Sequence, residues 1–301
     1  MENLIIIGAG PAGISAALYA ARSNLQPVLI NNGIGALAKA EKIENYYGLE
    51  KPLSGTELYE RGIEQAKALG VRIVDAQVLG ISGFDTFTVQ TTVGDFDATS
   101  VILATGSKRA APQIPGIREF EGKGVSYCAV CDAFFYRGRE VAVLGNSDFA
   151  LHEAETLQNV ASSVTIYTNG TEPEFSRKHP ILVNTGKIQA IEGDETVSGI
   201  LLESDVTAQE DGSMQPSFCP AEGVFVALGT AGSTEIARQM GAELTEKGNI
   251  KVNSEMETTI PGLFAAGDCT GGLLQVSKAV YEGSVAGIHA GKYIRSKKET
   301  S

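Results

Sequence analysis

Cys128 and Cys131 stand three positions apart in the stretch Ser126-Tyr127-Cys128-Ala129-Val130-Cys131-Asp132-Ala133-Phe134-Phe135, and Asp132 follows the second cysteine directly. Two thiols at this spacing can close a small disulfide ring. Exchange with another disulfide needs a thiolate to attack, a second thiol to resolve the mixed disulfide, and a group that moves protons. Cys128, Cys131 and Asp132 supply those parts. The alternative for a Cys-x-x-Cys is half of a zinc site, which needs four ligands. The other cysteines, Cys219 and Cys269, stand alone, and His152, His179 and His289 are scattered. The spacing favours redox chemistry, with no metal expected.

A dithiol needs an electron source, and the N-terminal residues suggest one. Leu4-Ile5-Ile6-Ile7 is an apolar run of strand length, followed at once by Gly8-Ala9-Gly10-Pro11-Ala12-Gly13. Ile14 to Arg22 has helical periodicity, and Pro27 to Ile30 reads as the next strand. Strand, Gly-x-Gly-x-x-Gly, helix and strand form a dinucleotide-binding unit. Gly8 permits the tight turn, Gly10 lets a pyrophosphate approach the backbone, and Gly13 lets helix and strand pack closely. The helix N-terminus favours the phosphates. Asn31 and Asn32 replace the acid expected at the end of the second strand.

A helix is expected near Gly55 to Leu69, then short strands around Arg72–Val78 and Thr86–Thr92. Val101 to Leu103 reads as a buried strand ending in the small-residue turn Ala104-Thr105-Gly106. Ala111-Pro112 and Ile114-Pro115-Gly116 mark a hinge between domains. Val141 to Leu144 opens a second strand–turn–helix unit with Gly145-Asn146-Ser147-Asp148-Phe149-Ala150 at its turn. Ser147 puts a side chain where the second glycine belongs. Asp148 puts a carboxylate at the helix N-terminus, where it can cap the helix and repel a phosphate. The strand Ser163–Thr168 ends in Asn169-Gly170, with neither the acid of an NAD site nor the arginines of an NADP site. This unit reads as a dinucleotide-type domain that has lost its ligand. Strands follow at Lys187–Ile191 and Val197–Glu203, and Gly223 to Gly229 resembles the strand that leads back to the first domain. Ala265-Ala266-Gly267-Asp268 forms a turn with an acid, and Leu274-Gln275 leads into a final helix from Val276 to about Arg295. The basic residues Lys292, Arg295, Lys297 and Lys298 read as a solvated helix end.

The 301 residues, 43% of them hydrophobic, are enough for two domains with cores of their own. No apolar run approaches a membrane span, so no membrane is expected. The net charge of −12 argues against nucleic acid. Met1-Glu2-Asn3-Leu4 leads straight into a strand, and four cysteines suit a reducing compartment, so a cytoplasmic protein is expected.

Glycine fingerprint, Ala104-Thr105-Gly106, Cys128-Ala129-Val130-Cys131-Asp132, a second fingerprint position and Ala266-Gly267-Asp268 follow one another in this order. Over essentially the whole chain this resembles the low-molecular-weight thioredoxin reductases. The resemblance implies an α/β fold of two Rossmann-like dinucleotide-binding domains, the second inserted into the first. The expected boundaries are 1–113 with 228–301 for an FAD domain and 114–227 for the redox-dithiol domain. It implies FAD bound at Gly8, Gly10, Pro11, Ala12 and Gly13, with Asn31, Asn45, Ala104, Thr105, Gly106, Gly267, Asp268 and Gln275 lining the same pocket. Cys131 matches the flavin-facing cysteine, Cys128 the one that attacks thioredoxin disulfide, and Asp132 the general acid. A homodimer and a rotation of one domain against the other are implied as well.

The departures from the family pattern fall where the donor nucleotide binds, at Gly145-Asn146-Ser147 and Tyr167-Thr168-Asn169-Gly170. On the flavin side, Gly33-Ile34-Gly35-Ala36-Leu37 lacks the family's glutamine, and Leu274-Gln275 replaces an Arg-Gln pair. An intact dithiol beside an altered donor site resembles the ferredoxin-dependent flavin thioredoxin reductases. The leading expectation is thioredoxin reduction with electrons from ferredoxin, with Lys108, Arg109, Lys123, Arg137 and Arg139 as a candidate docking patch. NAD(P)H entering through an atypical site, a dithiol oxidase using oxygen, and a flavin-bound redox sensor are the alternatives. Cys219 and Cys269 are expected to be packing residues.

Overall fold

The computed structural model describes residues 2–106, 113–203, 217–228 and 232–299. Lys108, Arg109, Ala111, Pro112 and Gly229, named above, lie outside the described residues. The chain divides into two compact units, Met1–Arg109 with Gly232–Ser301, and Ala110–Ala231. The second therefore falls between two segments of the first. Both are of the Rossmann-like α/β type.

The first unit runs β1 (Glu2–Ile7), α1 (Pro11–Arg22), β2 (Val28–Asn31), α2 (Gly55–Ala68), β3 (Arg72–Asp75), β4 (Val78–Ser82), β5 (Phe87–Thr91) and β6 (Phe96–Leu103). In the second unit come β7 (Val125–Ser126), α3 (Ala129–Asp132), β8 (Glu140–Leu144), α4 (Asp148–Gln158), β9 (Ser163–Tyr167) and β10 (Leu182–Asn184). That unit ends with β11 (Ile188–Gly193), β12 (Val197–Leu202), β13 (Ser217–Pro220) and β14 (Gly223–Val226). The chain returns to the first unit with α5 (Ser233–Gln239), β15 (Leu263–Ala265) and α6 (Val276–Glu299).

The sheet of the first unit has the order β3-β2-β1-β6-β5-β4, with β15 beside β6. β6 changes neighbours along its length, pairing antiparallel with β5 at Ala98 and parallel with β15 at Val101 to Leu103. Leu4, Ile5, Ile6 and Ile7 are buried, as continuous apolar runs are in a parallel strand covered on both faces. The expected strand Arg72–Val78 is two strands, because β3 pairs parallel with β2 and β4 antiparallel with β5. The chain changes partner at Ala76-Gln77.

Helix α1 packs on α6 at backbone distance. A Cβ at Gly283 would overlap the carbonyl oxygen of Ala12, and one at Gly287 that of Ala16. Ser15 Oγ donates to Val280 O at 2.7 Å in the same seam. The seam fixes the end of β1, and with it the first glycine turn. α6 continues beyond Arg295 to Glu299.

The main sheet of the second unit is parallel, in the order β10-β9-β8-β14-β7. The antiparallel strands β11-β12-β13 form a separate sheet. β14 lies inside the main sheet between β8 and β7, and all four of its residues are buried.

Candidate functional site

Cys128 and Cys131 form a disulfide, with Cα atoms 5.4 Å apart. Cys128 is in extended conformation directly ahead of the single turn α3. Its Sγ accepts the Cys131 N–H at 3.0 Å. This contact ties the ring to the turn that holds its other sulfur. Ser126, at the end of β7 and buried, ties the acid to the same stretch. Its Oγ donates to Asp132 Oδ2 at 2.6 Å and accepts the Cys128 N–H at 3.1 Å. From below, Glu153 on α4 accepts the Ala129 N–H on Oε2 at 2.6 Å.

The two sulfurs differ in access. Cys131 is exposed, whereas Cys128 is 2% exposed. Around the exposed one stand apolar side chains that water covers: Val130 at 61%, Phe134 at 71% and Phe135 at 69% exposure. Arg137 lies over the Phe134 ring, 5.6 Å from its centre. Three apolar side chains exposed within six residues, beside a reactive disulfide, suit contact with another protein.

At the first glycine turn the three glycines have different physical tasks. Gly8 has φ +105, and a Cβ there would overlap the Ala104 carbonyl oxygen. A Cβ at Gly13 would overlap the Gly8 carbonyl oxygen. Gly10 meets nothing within 4 Å, so the turn leaves open space at the position where a pyrophosphate approaches. The Ala104 N–H donates to Ile7 O at 2.8 Å, which sets Ala104-Thr105-Gly106 beside the turn. Thr105 is held by α5, its hydroxyl accepting the Ser233 N–H at 2.9 Å.

The structure brings together expected cofactor residues that are far apart in sequence. Asn45 Nδ2 donates to Gln275 Oε1 at 3.0 Å. A Cβ at Gly267 would come within 2.9 Å of the Ala12 Cβ, so the C-terminal turn abuts the first residues of α1. Asn31 closes the end of β2: its Nδ2 donates to Asp75 Oδ1 at 2.7 Å, and its Oδ1 accepts the Tyr59 hydroxyl at 2.9 Å. A carboxylate therefore does stand at this strand end, on β3 rather than β2. Burial raises the Asp268 carboxyl above its usual value, with the Lys278 ammonium opposing.

Lys278 and Glu282 on α6 hold the turn that carries Asp268. Lys278 Nζ donates to Gly267 O at 2.8 Å and pairs with Glu282 Oε2 at 3.0 Å, while Glu282 accepts the Gly267 N–H at 2.8 Å. These residues fit FAD: an open backbone turn at a helix start, a small-residue strip beside it, and an acid on a rigid loop.

The second glycine turn is arranged differently. Segment 172–176 lies across it. Glu174 N–H donates to Asn146 O at 2.6 Å, Asn146 Nδ2 donates to Glu172 O at 3.2 Å, and Ser147 bridges Glu174 as in a parallel ladder. Asp148 was expected to cap its own helix. Instead its Oδ1 accepts the Ser176 N–H at 2.8 Å, and the Ser147 side chain at the N-cap does not cap α4. The crossing segment brings its Ser176 amide to the carboxylate. Arg177 pairs with Glu155.

Cys269 is buried, and burial pushes its thiol up to about 12, so it is no nucleophile at neutral pH. Cys219, on the edge strand β13, is half-buried and packs against the core of its unit. Of the candidate basic patch, Lys123, Arg137 and Arg139 are exposed, and Arg139 faces Glu222 at 3.7 Å.

Sequence reasoning passed over Ser126, Glu153, Lys278 and segment 172–176. Glu153 was open to detection. It falls on the helical face of Phe149, Ala150, Ala154 and Leu157, all buried, where an acid is out of place. The crossing of 172–176 has no local signal, since the segment itself contributes only backbone groups to its hydrogen bonds, Glu174 N–H, Glu172 O and Ser176 N–H.

Residues 2–283 match the model of the pyridine nucleotide-disulphide oxidoreductases. A thioredoxin reductase of Aquifex aeolicus is 36% identical, over 99% of this chain and 94% of that protein. The crystal structure of the atypical thioredoxin reductase TRi from Desulfovibrio vulgaris Hildenborough superposes with a TM-score of 0.88 at 38% identity, covering 99% of both chains. That of a ferredoxin-flavin thioredoxin reductase from Clostridium acetobutylicum gives 0.71 at 32% identity, covering 99% of this chain and 98% of that one. The chain belongs to the pyridine nucleotide-disulphide oxidoreductase family. Thioredoxin reductases of this family are FAD-dependent flavoproteins, and FAD is the cofactor here. Among the described residues, no helix is long and apolar enough to cross a membrane.

Proposed function

We propose that this protein is a flavin-dependent thioredoxin reductase that draws its electrons from reduced ferredoxin rather than from a nicotinamide nucleotide. The observation that carries the choice of donor is segment 172–176, bonded across the turn Gly145 to Asp148. A pyrophosphate at that turn would have to displace segment 172–176 and would meet the Asp148 carboxylate, which repels it. The similarity to the ferredoxin-flavin thioredoxin reductase of Clostridium acetobutylicum supports the same reading.

The first turn, with Gly8, Gly10, Pro11, Ala12 and Gly13, holds FAD, and Asn31, Asn45, Ala104, Thr105, Gly106, Gly267, Asp268 and Gln275 complete the pocket. FAD supplies a carrier that can be filled by single electrons and emptied in pairs. In the reduced protein, the Cys128 thiolate attacks the thioredoxin disulfide, forming a mixed disulfide and releasing one thioredoxin thiolate. Cys131 then attacks Cys128, which frees the second thioredoxin thiol and restores the internal disulfide. Asp132, held by Ser126, gives its proton to the first departing thiolate, then takes the Cys131 proton as that thiol attacks and passes it to the second. Cys128 is 2% exposed in the closed disulfide, so its attack requires the stretch to leave its packing. Val130, Phe134 and Phe135 offer the apolar surface on which thioredoxin docks. A homodimer working in the cytoplasm completes the reading.

Turnover tests it: holoenzyme, reduced ferredoxin and oxidised thioredoxin are mixed without oxygen, and new thioredoxin thiols are counted. The expected result is thiol production that needs ferredoxin and is lost in Cys131→Ser, which keeps its FAD. Thiol production with NADPH alone overturns the choice of donor. Peroxide formation from small dithiols, with thioredoxin untouched, overturns the choice of substrate.

A further inference from the structure

Glu153 is the most deeply buried acid near the disulfide, at 1% exposure. Its Oε2 accepts the Ala129 N–H at 2.6 Å. Its Oε1 is buried with no hydrogen-bond partner among the described residues. The amide it holds is two covalent bonds from the Cys128 Cα. An ionised carboxylate with one oxygen unsatisfied costs free energy in such a place, so it takes up a proton readily once a second negative charge forms beside it.

Its surroundings hold few other charges. On the α3 side the titratable groups are Cys128, Cys131 and Asp132, and Asp132 is already engaged by Ser126. Its own helix carries Asp148, which bonds Ser176, His152, which is half-buried, and Glu155, which pairs with Arg177. The strands behind α4 offer Glu140, exposed, and Tyr167, buried. Burial pushes Glu153 up to about 7, with the Ala129 hydrogen bond opposing.

We propose that Glu153 is the proton-balancing, positioning residue of the Cys128–Cys131 pair, ionised beside the disulfide and protonated when the pair is reduced. Opening the disulfide breaks one S–S bond and takes two electrons from a dithiol reductant, which closes its own disulfide. Of the two protons that the reductant releases, one goes to a cysteine thiol. The second goes to Glu153 while the other cysteine stays a thiolate, so the buried site gains one negative charge and loses another. Thiolate and carboxylate titrate as a coupled pair. Re-oxidation by a substrate disulfide returns both protons. The proposal concerns the disulfide itself and holds whichever donor feeds the flavin.

The test equilibrates holoenzyme with dithiothreitol buffers from about pH 6 to about pH 9, spanning the ordinary thiol range. The reduced fraction of Cys128 and Cys131 is trapped by alkylation and read by mass spectrometry. Neither ferredoxin nor thioredoxin is present, so failure of the donor assignment leaves the result unaffected. The exchange constant of the wild type is divided by that of Glu153→Gln, which keeps an acceptor for the Ala129 N–H but cannot ionise. The expected ratio falls about three- to tenfold as pH rises through the window above about 7, the factor for a coupling of roughly half to one pKa unit. A ratio that does not change with pH means a purely structural glutamate and overturns the proposal. Should Glu153→Gln not fold, the infrared difference spectrum of the wild type decides. A protonated-carboxyl band that appears on reduction and persists in Asp132→Asn is the expected result; no such band, or one that is lost in Asp132→Asn, overturns the proposal.

Discussion

The molecule contains two strand–turn–helix units built on one plan, and only one keeps its turn open. In the first, the Gly10 position meets nothing within 4 Å, and residues from three distant segments gather beside it. In the second, the chain itself fills the turn, with Glu174 on the Asn146 carbonyl and Ser176 on the Asp148 carboxylate. The scaffold is the same in both, a parallel strand feeding a helix, so the scaffold does not decide what binds. Two side chains do much of it. Ser147 replaces the glycine, and Asp148 recruits an amide of the crossing segment. The second unit retains the work that does not need the turn: α4 carries Glu153 beneath the disulfide.

Breaking the open turn should have the largest effect. Gly13→Val forces a side chain onto the Gly8 carbonyl oxygen, and overpacking of this kind costs about 3 kcal/mol. The expected product is colourless, with a low ratio of flavin to protein absorbance and a denaturation midpoint well below that of the wild type. Gly10→Val sharpens the point, because its side chain enters open space: flavin-stripped protein should keep its stability yet fail to rebind FAD.

In the second unit, Glu153 gives an effect of known sign. Its folded-state value of about 7 lies above the ordinary 4.5. The folded protein therefore holds a proton there that the unfolded chain has released, and stability from this group is present below about pH 4.5 and lost as pH rises through about 7. Glu153→Gln removes that dependence. Its stability relative to wild type should rise by about 3 kcal/mol between pH 4.5 and pH 8, measured by urea denaturation. The smallest effect belongs to the closed turn. Asp148→Ala releases the Ser176 amide, costing about 1 kcal/mol locally, and hydrogen exchange at Ser176 should quicken while flavin content stays unchanged.

Much of the architecture was legible because its signals are local. Leu4 to Ile7 with Gly8, Gly10 and Gly13 announces a turn whatever the rest of the chain does, and Cys128 with Cys131 announces exchange chemistry. The altered second turn was legible for the same reason, from Ser147 and Asp148 alone. What those residues do instead was not. Asp148 reads as a helix cap, since the N-terminus of α4 is its nearest partner in sequence, and only the fold brings Ser176 within 2.8 Å. Family resemblance put Asn45 and Gln275 in one expected pocket, but their hydrogen bond comes from the fold, and no periodicity links residues so far apart. Ser126 hid because a hydroxyl gives no pattern, and Lys278 because a lysine on a long helix reads as solvated until its partners Gly267 and Glu282 are seen.

The central claim is that the second turn no longer admits a nicotinamide nucleotide, and flavin absorbance tests it most directly. Holoenzyme is mixed without oxygen, once with NADPH and once with reduced ferredoxin, and the flavin band is followed in a stopped-flow instrument. The account predicts no change with NADPH and rapid loss of absorbance with ferredoxin. Rapid loss with NADPH would contradict it, and would mean that segment 172–176 yields to the nucleotide.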